Sequence, residues 1–120
     1  MQVTALDIVT ANQGLGELMG MALPIALSFK LARLAKAVSA EAKVIFEERN
    51  KLIEKYGTKN DKGVAEIAPN TPAMEAFNAD VAVLFSQEVT LDIEPVELPA
   101  TIELKPATLI AAIPFVTFPA

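Results

Sequence analysis

The sequence predicts an α+β fold in one domain spanning residues 1–120, with a long amphipathic helix in a helical hairpin or small bundle, packed with a small antiparallel sheet. Two observations predict this class. The first half of the chain has helical periodicity, whereas the segment 87–104 alternates apolar and polar residues as strands do. A chain of 120 residues has the length of one domain and leaves no room for two independent cores.

The longest predicted element is a helix over residues 25–56. This stretch contains neither Gly nor Pro, Pro24 suits the first helical turn, and Gly57 stands where a helix-terminating glycine is expected. Apolar residues recur along one face with helical periodicity. The resulting apolar stripe is Leu31, Val38, Ile45, Leu52 and Tyr56.

This helix is too long for the globule that should contain it. About 32 residues at ~1.5 Å each form a rod of about 48 Å, whereas a compact chain of this length has a diameter of about 35 Å. We therefore expect either a kink, for instance near Ser39, or a projecting end that contacts a partner. The apolar stripe (Leu31, Val38, Ile45, Leu52 and Tyr56) is the first candidate interaction surface.

Shorter elements surround the long helix. Residues 4–19 have apolar residues on helical spacing, but Gly14 and Gly16 each cost up to ~1 kcal/mol relative to alanine, which predicts a short, bent or broken helix. A polar turn over 58–63 is followed by a short strand at 64–68.

The second half begins with a helix predicted over 73–86. Segment 87–104 then predicts a half-buried strand, which Pro95 and Pro99 restrict to a sheet edge or interrupt. A last short helix is expected over 106–113.

The apolar tail, residues 114–120, is the second candidate interaction surface. It contains Phe115, Val116 and Phe118 and no charge, and such segments rarely stay in water. The sequence allows two places for these side chains, on their own domain or on a neighbouring subunit.

Composition argues against several classes of function. The chain has no cysteine and no histidine, which removes disulfides, thiolate zinc sites and the commonest general base. The net charge of −5 disfavours a nucleic-acid partner. We predict a non-enzymatic protein with no catalytic residues, no cofactor and no metal.

Hydropathy predicts a soluble homo-oligomer. No secretion signal is recognisable near Asp7, and the longest uncharged runs, 18–29 and 106–120, fall short of the ~20 residues of a spanning helix. Apolar residues make up 52% of the chain, which is high for a small soluble protein with much surface per volume. We therefore expect other subunits to cover part of that surface, and no membrane contact.

Three motifs have weak functional interpretations. Gly14 and Gly16 lack the preceding strand and the Lys-Ser/Thr of a phosphate loop. Residues 60–63 lack the later acid of a calcium loop, and turn chemistry explains them better. Glu47 and Glu48 point about 100° apart on a helix and cannot share a proton, so a solvated face is favoured over a charged subunit contact.

Charge is unevenly distributed along the chain. Lys30, Arg33 and Lys36 form a basic row at the start of the long helix, whereas acids dominate residues 88–103. Solvated faces explain both, and acids also discourage aggregation at a sheet edge. The alternative is a head-to-tail subunit contact between the opposite charges.

The long helix also resembles a known family. Its segments 31–36 (LARLAK) and 46–57 (FEERNKLIEKYG), the predicted helix around 77–85 and the strand 88–93 (EVTLDI) are similar to small proteins of unknown function carried by tailed bacteriophages and prophages. The similarity spans roughly residues 25–104. It implies a viral setting, a non-enzymatic role and a location in the virion or the host cytoplasm.

Two functional hypotheses follow. The first is a homo-oligomeric structural or assembly component of the virion, which contacts itself and other phage proteins. The alternative is a non-virion accessory protein that binds a host factor or sequesters a small-molecule defence signal.

Overall fold

The computed structural model describes residues 1–99 and 102–118, and within them the chain has the predicted α+β class. The helices are α1 (Ala5–Met19), α2 (Ile25–Tyr56), α3 (Pro72–Phe85) and α4 (Pro106–Ala112). The strands are β1 (Gln2–Thr4), β2 (Thr58–Lys59), β3 (Ala65–Glu66), β4 (Glu88–Thr90), β5 (Val96–Glu97) and β6 (Val116–Thr117).

The long helix α2 has the predicted bounds and is unbroken at Ser39. The molecule measures 50 × 28 × 23 Å and its radius of gyration is 17.3 Å, whereas a compact chain of this length has about 13–14 Å. Of the two expectations, a continuous rod with a projecting end therefore holds, and its contact with a partner stays a prediction.

The core lies in the helical hairpin of α1 and the first part of α2. Along α2 the buried side chains are Leu31, Leu34, Val38, Ala42 and Ile45. They meet the buried face of α1, which consists of Ala5, Ile8, Val9, Ala11, Leu15 and Leu18. Helix α4 packs against α1, and α3 packs against α2. The core therefore ends at Ile45, well before α2 does.

Helix α1 is continuous from Ala5 to Met19, so of the predicted alternatives a broken helix is wrong. A capping box begins the helix: the Asp7 N–H donates to Thr4 Oγ1 at 3.1 Å and the Thr4 N–H donates to Asp7 Oδ2 at 3.0 Å. Gly14 lies where α4 crosses, and a Cβ there would collide with the Ala111 Cβ. Gly14 therefore lowers the helix propensity of α1 but allows α4 to pack closely against it.

The two glycines of α1 give a matched pair of variants. We expect Gly14→Ala to destabilise the fold by about 1–3 kcal/mol, because the new methyl overlaps Ala111. Gly16→Ala should stabilise it by up to ~1 kcal/mol, because nothing lies within 4 Å of its Cβ and alanine favours the helix. Urea unfolding followed by circular dichroism measures both; equal effects of the two variants would contradict this account.

In the described residues the strands form three separate pairs: two have the predicted antiparallel pairing, and the third, parallel pair was not predicted. β1–β4 and β2–β3 are antiparallel, whereas β5–β6 is parallel. The strand predicted within 87–104 is divided into β4 and β5 by a bend after Leu91. Pro95 cannot donate a ladder hydrogen bond, which limits pairing at this point.

The described part of the apolar tail packs on its own chain. β6 pairs with β5 in the register Val96 to Val116, and Phe115 and Val116 are buried. Phe118 is 40% exposed, and residues 119–120 of the predicted tail lie outside the described residues. No helix in the described part of the chain is long and apolar enough to cross a bilayer.

Candidate interaction surface

The distal segment, residues 46–90, is the least covered part of the molecule. Between Ile45 and Leu91 not one residue is buried, although both of these flanking side chains are. The segment includes the last third of α2, the β2–β3 hairpin and all of α3. A stretch this long without a buried side chain is unusual for a folded chain, whose stability depends on apolar burial.

Most of the large apolar residues of the distal segment are half-buried, whereas Val64 and Val83 are exposed. On α2 and α3 the half-buried ones are Phe46, Leu52, Ile53, Tyr56, Met74, Phe77, Val81, Leu84 and Phe85. Of these, Phe46, Leu84 and Phe85 pack against the edge of the core. The remainder is also half-buried, so each side chain keeps part of its surface in water.

A polar contact fixes α3 against the end of α2. Tyr56 Oη donates a hydrogen bond of 2.6 Å to Asp80 Oδ2 in a partly buried setting. The Lys55 ammonium lies 5.0 Å from the centre of the Tyr56 ring, within the range of a cation–π contact. Tyr56, predicted as an interaction residue, therefore has a partner within its own chain.

Gly57 ends α2 for a reason other than the predicted one. Its φ is −90°, so it does not adopt the left-handed conformation of a typical C-terminal glycine. Its N–H donates to the Ile53 carbonyl, and a Cβ would come within 2.9 Å of the Glu66 carbonyl oxygen. The glycine is needed because β3 passes close to the helix end.

The β2–β3 hairpin has the predicted turn chemistry. Asn60 Oδ1 accepts hydrogen bonds from the backbone N–H groups of Lys62 and Val64, at 2.9 and 3.1 Å. Gly63 has a φ of 75°, which favours glycine. The side chain that looked like a cation ligand therefore organises the turn.

Some of the charged side chains in the middle of α2 make contacts within the helix. The Lys51 ammonium donates a 2.9 Å hydrogen bond to Glu48 Oε1, and this contact raises the pKa of Lys51. Arg49 has no salt bridge of this kind among the described residues. Its guanidinium carbon lies 4.8 Å from the centre of the Phe46 ring. Its Nε is buried without a hydrogen-bond acceptor among the described residues. An unpaired buried donor costs free energy, so this site favours an acceptor from outside the chain.

The predicted interaction residues divide into two groups. Leu31, Val38, Ile45, Phe115 and Val116 lie in the chain's own core. In this conformation these five cannot contact a partner, which corrects the expectation for most of the stripe and the tail. Leu52 and Tyr56 are half-buried and Phe118 is exposed, so an interaction role for these three stays a prediction.

A second apolar patch, which was not predicted from the sequence, lies at the turn between α1 and α2. Ile25 is 84% exposed and Phe29 is 61% exposed, and Met19 precedes the turn. The spacing of four between Ile25 and Phe29 places both on one face of α2, away from the apolar stripe. The position of Ile25 and Phe29 outside the apolar stripe was the sequence feature that could have predicted this patch.

The basic row and the acidic segment face each other within one chain. Lys30 and Arg33 line one wall of an open groove of about 440 Å³, and Asp92, Glu94 and Glu97 line the other. The opposite charges of the alternative head-to-tail contact therefore line one groove of the same molecule. No three acidic side chains in the described residues are close enough together to hold a metal ion.

Comparison of the chain with protein-family models, curated proteins and solved structures finds no match. The resemblance to phage proteins is accordingly carried by the quoted sequence segments alone.

Proposed function

We propose that this protein is a non-enzymatic, homo-oligomeric structural or assembly component that acts through protein–protein contacts. The observation that carries the proposal is the distal segment, residues 46–90, in which many apolar side chains are present and none is buried. Fully burying a side chain such as Leu or Phe stabilises by about 1.5–3 kcal/mol. A partner surface would supply the missing part of that burial.

The total solvent-accessible surface area supports the same proposal. The chain exposes 7863 Å², whereas a folded monomer of 12.8 kDa exposes about 6,300 Å² on average. The excess of about 1,600 Å² is large compared with the ~800 Å² that each partner contributes to a standard interface.

A bacteriophage setting is part of the proposal and rests on the resemblance of segments 31–36 and 46–57 to phage and prophage proteins. In that setting the partners are further copies of this chain and other virion proteins. No nucleic acid is required, because the net charge of −5 opposes phosphate binding.

Sedimentation velocity and light scattering over a wide concentration range test self-association. We expect a defined oligomer that dissociates on dilution. Mass spectrometry of particles purified from a host that carries the gene tests the structural role. A chain that is monomeric at every concentration and absent from particles would contradict the proposal.

The charged groove favours a second candidate function, an accessory protein that sequesters a small charged signal. Lys30 and Arg33 supply two cations on one wall, and in the described residues neither lies within 4.0 Å of an acidic group. Asp92, Glu94 and Glu97 on the opposite wall repel anions, so the groove fits only a ligand that holds its anionic group against the two cations.

A thermal-shift screen against nucleotide signals tests this second candidate. The expected result is a higher melting temperature for the native chain and a smaller shift for Lys30→Ala. An absence of any shift across the panel would exclude small-molecule sequestration of this kind.

A further inference from the structure

We infer that a second copy of this chain covers the distal segment, and that the two copies form a four-helix bundle from residues 46–56 of α2 and from α3. This inference rests on the proposed self-association and names its surface. Two packed helices expose both flanks of their contact, and pairing two such helix pairs gives a four-helix bundle with an enclosed apolar centre.

One side of the distal helix pair is apolar. Phe46 and Ile53 are seven residues apart and lie on one flank of α2. Met74, Val81 and Phe85 have the same helical spacing and lie on one flank of α3. All five side chains are half-buried, so they are available for further contact.

Helix geometry brings these two flanks together. Tyr56 is hydrogen-bonded to Asp80, so these two side chains mark the contact between the helices. Leu84 and Phe85, at the other end of α3, pack against the core as Phe46 does, which indicates that α3 runs antiparallel to α2. On each helix the apolar flank lies on the same rotational side of the contact, and in an antiparallel pair the two flanks then face one side.

The area agrees with a dimer. Permanent homodimers bury about 1,000–2,500 Å² per partner, and this chain exposes about 1,600 Å² more than a monomer of 12.8 kDa does on average. A two-fold axis pairs the same surface of each copy, so that surface must complement itself.

The extent of the uncovered surface favours the distal end over the patch at Ile25 and Phe29. That patch occupies little more than one turn of α2, whereas no residue between 46 and 90 is buried. Charge does not separate the two ends, because Lys30 and Arg33 face acids of their own chain across the groove. Residues 46–56 contain three acids and three bases and α3 adds two acids, so each copy brings only a small net charge of −2 to the bundle.

Matched variants on α3 test the predicted face. Val81→Asp places a carboxylate in the apolar face and should weaken dimerisation at least about 30-fold. Val83→Asp is the control, because Val83 is 60% exposed on the outer side of the same helix and should change the dimer dissociation constant less than about 3-fold. Dissociation by Val83→Asp but not by Val81→Asp would overturn the inference.

Spin labels give a second test that does not alter the interface. The described residues contain no free cysteine and the sequence has none, so Ala79→Cys on the outer side of α3 and Ala22→Cys in the turn before α2 each introduce one label. In the dimer, we expect about 20–40 Å between Ala79 labels, from helix-packing distances. With the two copies pointing in opposite directions, so that only their distal segments overlap, the Ala22 labels should lie more than one molecular length of 50 Å apart.

The label distances separate failure of this inference from failure of the proposed function. A dimer with close Ala22 labels and distant Ala79 labels would place the interface at the Ile25 end and overturn the bundle, while self-association would stand. A monomer at every concentration would overturn both. If Val81→Asp fails to fold, the label distances alone decide.

Discussion

Truncating Phe115 should destabilise this protein more than any other change to its C-terminal tail. Phe115 is 0% exposed, and its backbone is fixed on both sides: its N–H donates to the Ala112 carbonyl at 2.7 Å and its carbonyl accepts from the Val96 N–H at 2.9 Å. The cavity left by Phe115→Ala therefore cannot close easily, and we expect a loss of about 3–5 kcal/mol.

This loss is large compared with the total free energy of unfolding. A domain of this size is stable by about 5–15 kcal/mol, so Phe115→Ala should leave a marginal fold. Phe118→Ala is the matched control, because Phe118 is 40% exposed and its truncation should cost less than about 1 kcal/mol. Urea unfolding followed by circular dichroism measures both, and a small, equal effect would mean that the tail does not pack on its own chain.

The second large effect is expected on the apolar stripe of α2. Leu31 is 1% exposed at the contact with α1, and Leu31→Ala should cost about 2–5 kcal/mol. Leu52 belongs to the same stripe but lies past the end of the core, half-buried beside α3. Leu52→Ala should cost only about 1–2 kcal/mol, because part of the side chain is already in water.

The comparison tests where the core ends. Both variants remove the same atoms from the same helix, so helix propensity does not separate them. Thermal unfolding at low protein concentration measures them, and a difference of more than about 1 kcal/mol is expected. If Leu52→Ala is as costly as Leu31→Ala in the monomer, the core extends to the distal end and the proposed partner surface is smaller.

Local sequence predicted the helices well. The bounds of α2 follow from a stretch without Gly or Pro between Pro24 and Gly57. Helix α3 begins at Pro72, one residue before the predicted start, and the Thr71 hydroxyl accepts from the Met74 N–H. These features act over a few residues, so one sequence carries them completely.

Strand pairing and the positions of the glycines were not predictable in the same way. The alternation around Val89 and Leu91 indicates a strand but contains no information on which strand will pair with it. From the sequence, Gly14 only lowers helix propensity. Its role in packing depends on Ala111, which is almost a hundred residues away in the chain. Both depend on contacts between distant parts of the chain.

The sequence by itself determined the α+β class, the unbroken rod of α2 and the excess length that makes one end project. Periodicity and composition determine these because helix formation is local. Only the tertiary structure decided that Leu31, Val38 and Ile45 are covered within the chain while residues 46–90 are not. The stripe is continuous along α2, but α1 is 15 residues long and can cover only part of a 32-residue helix.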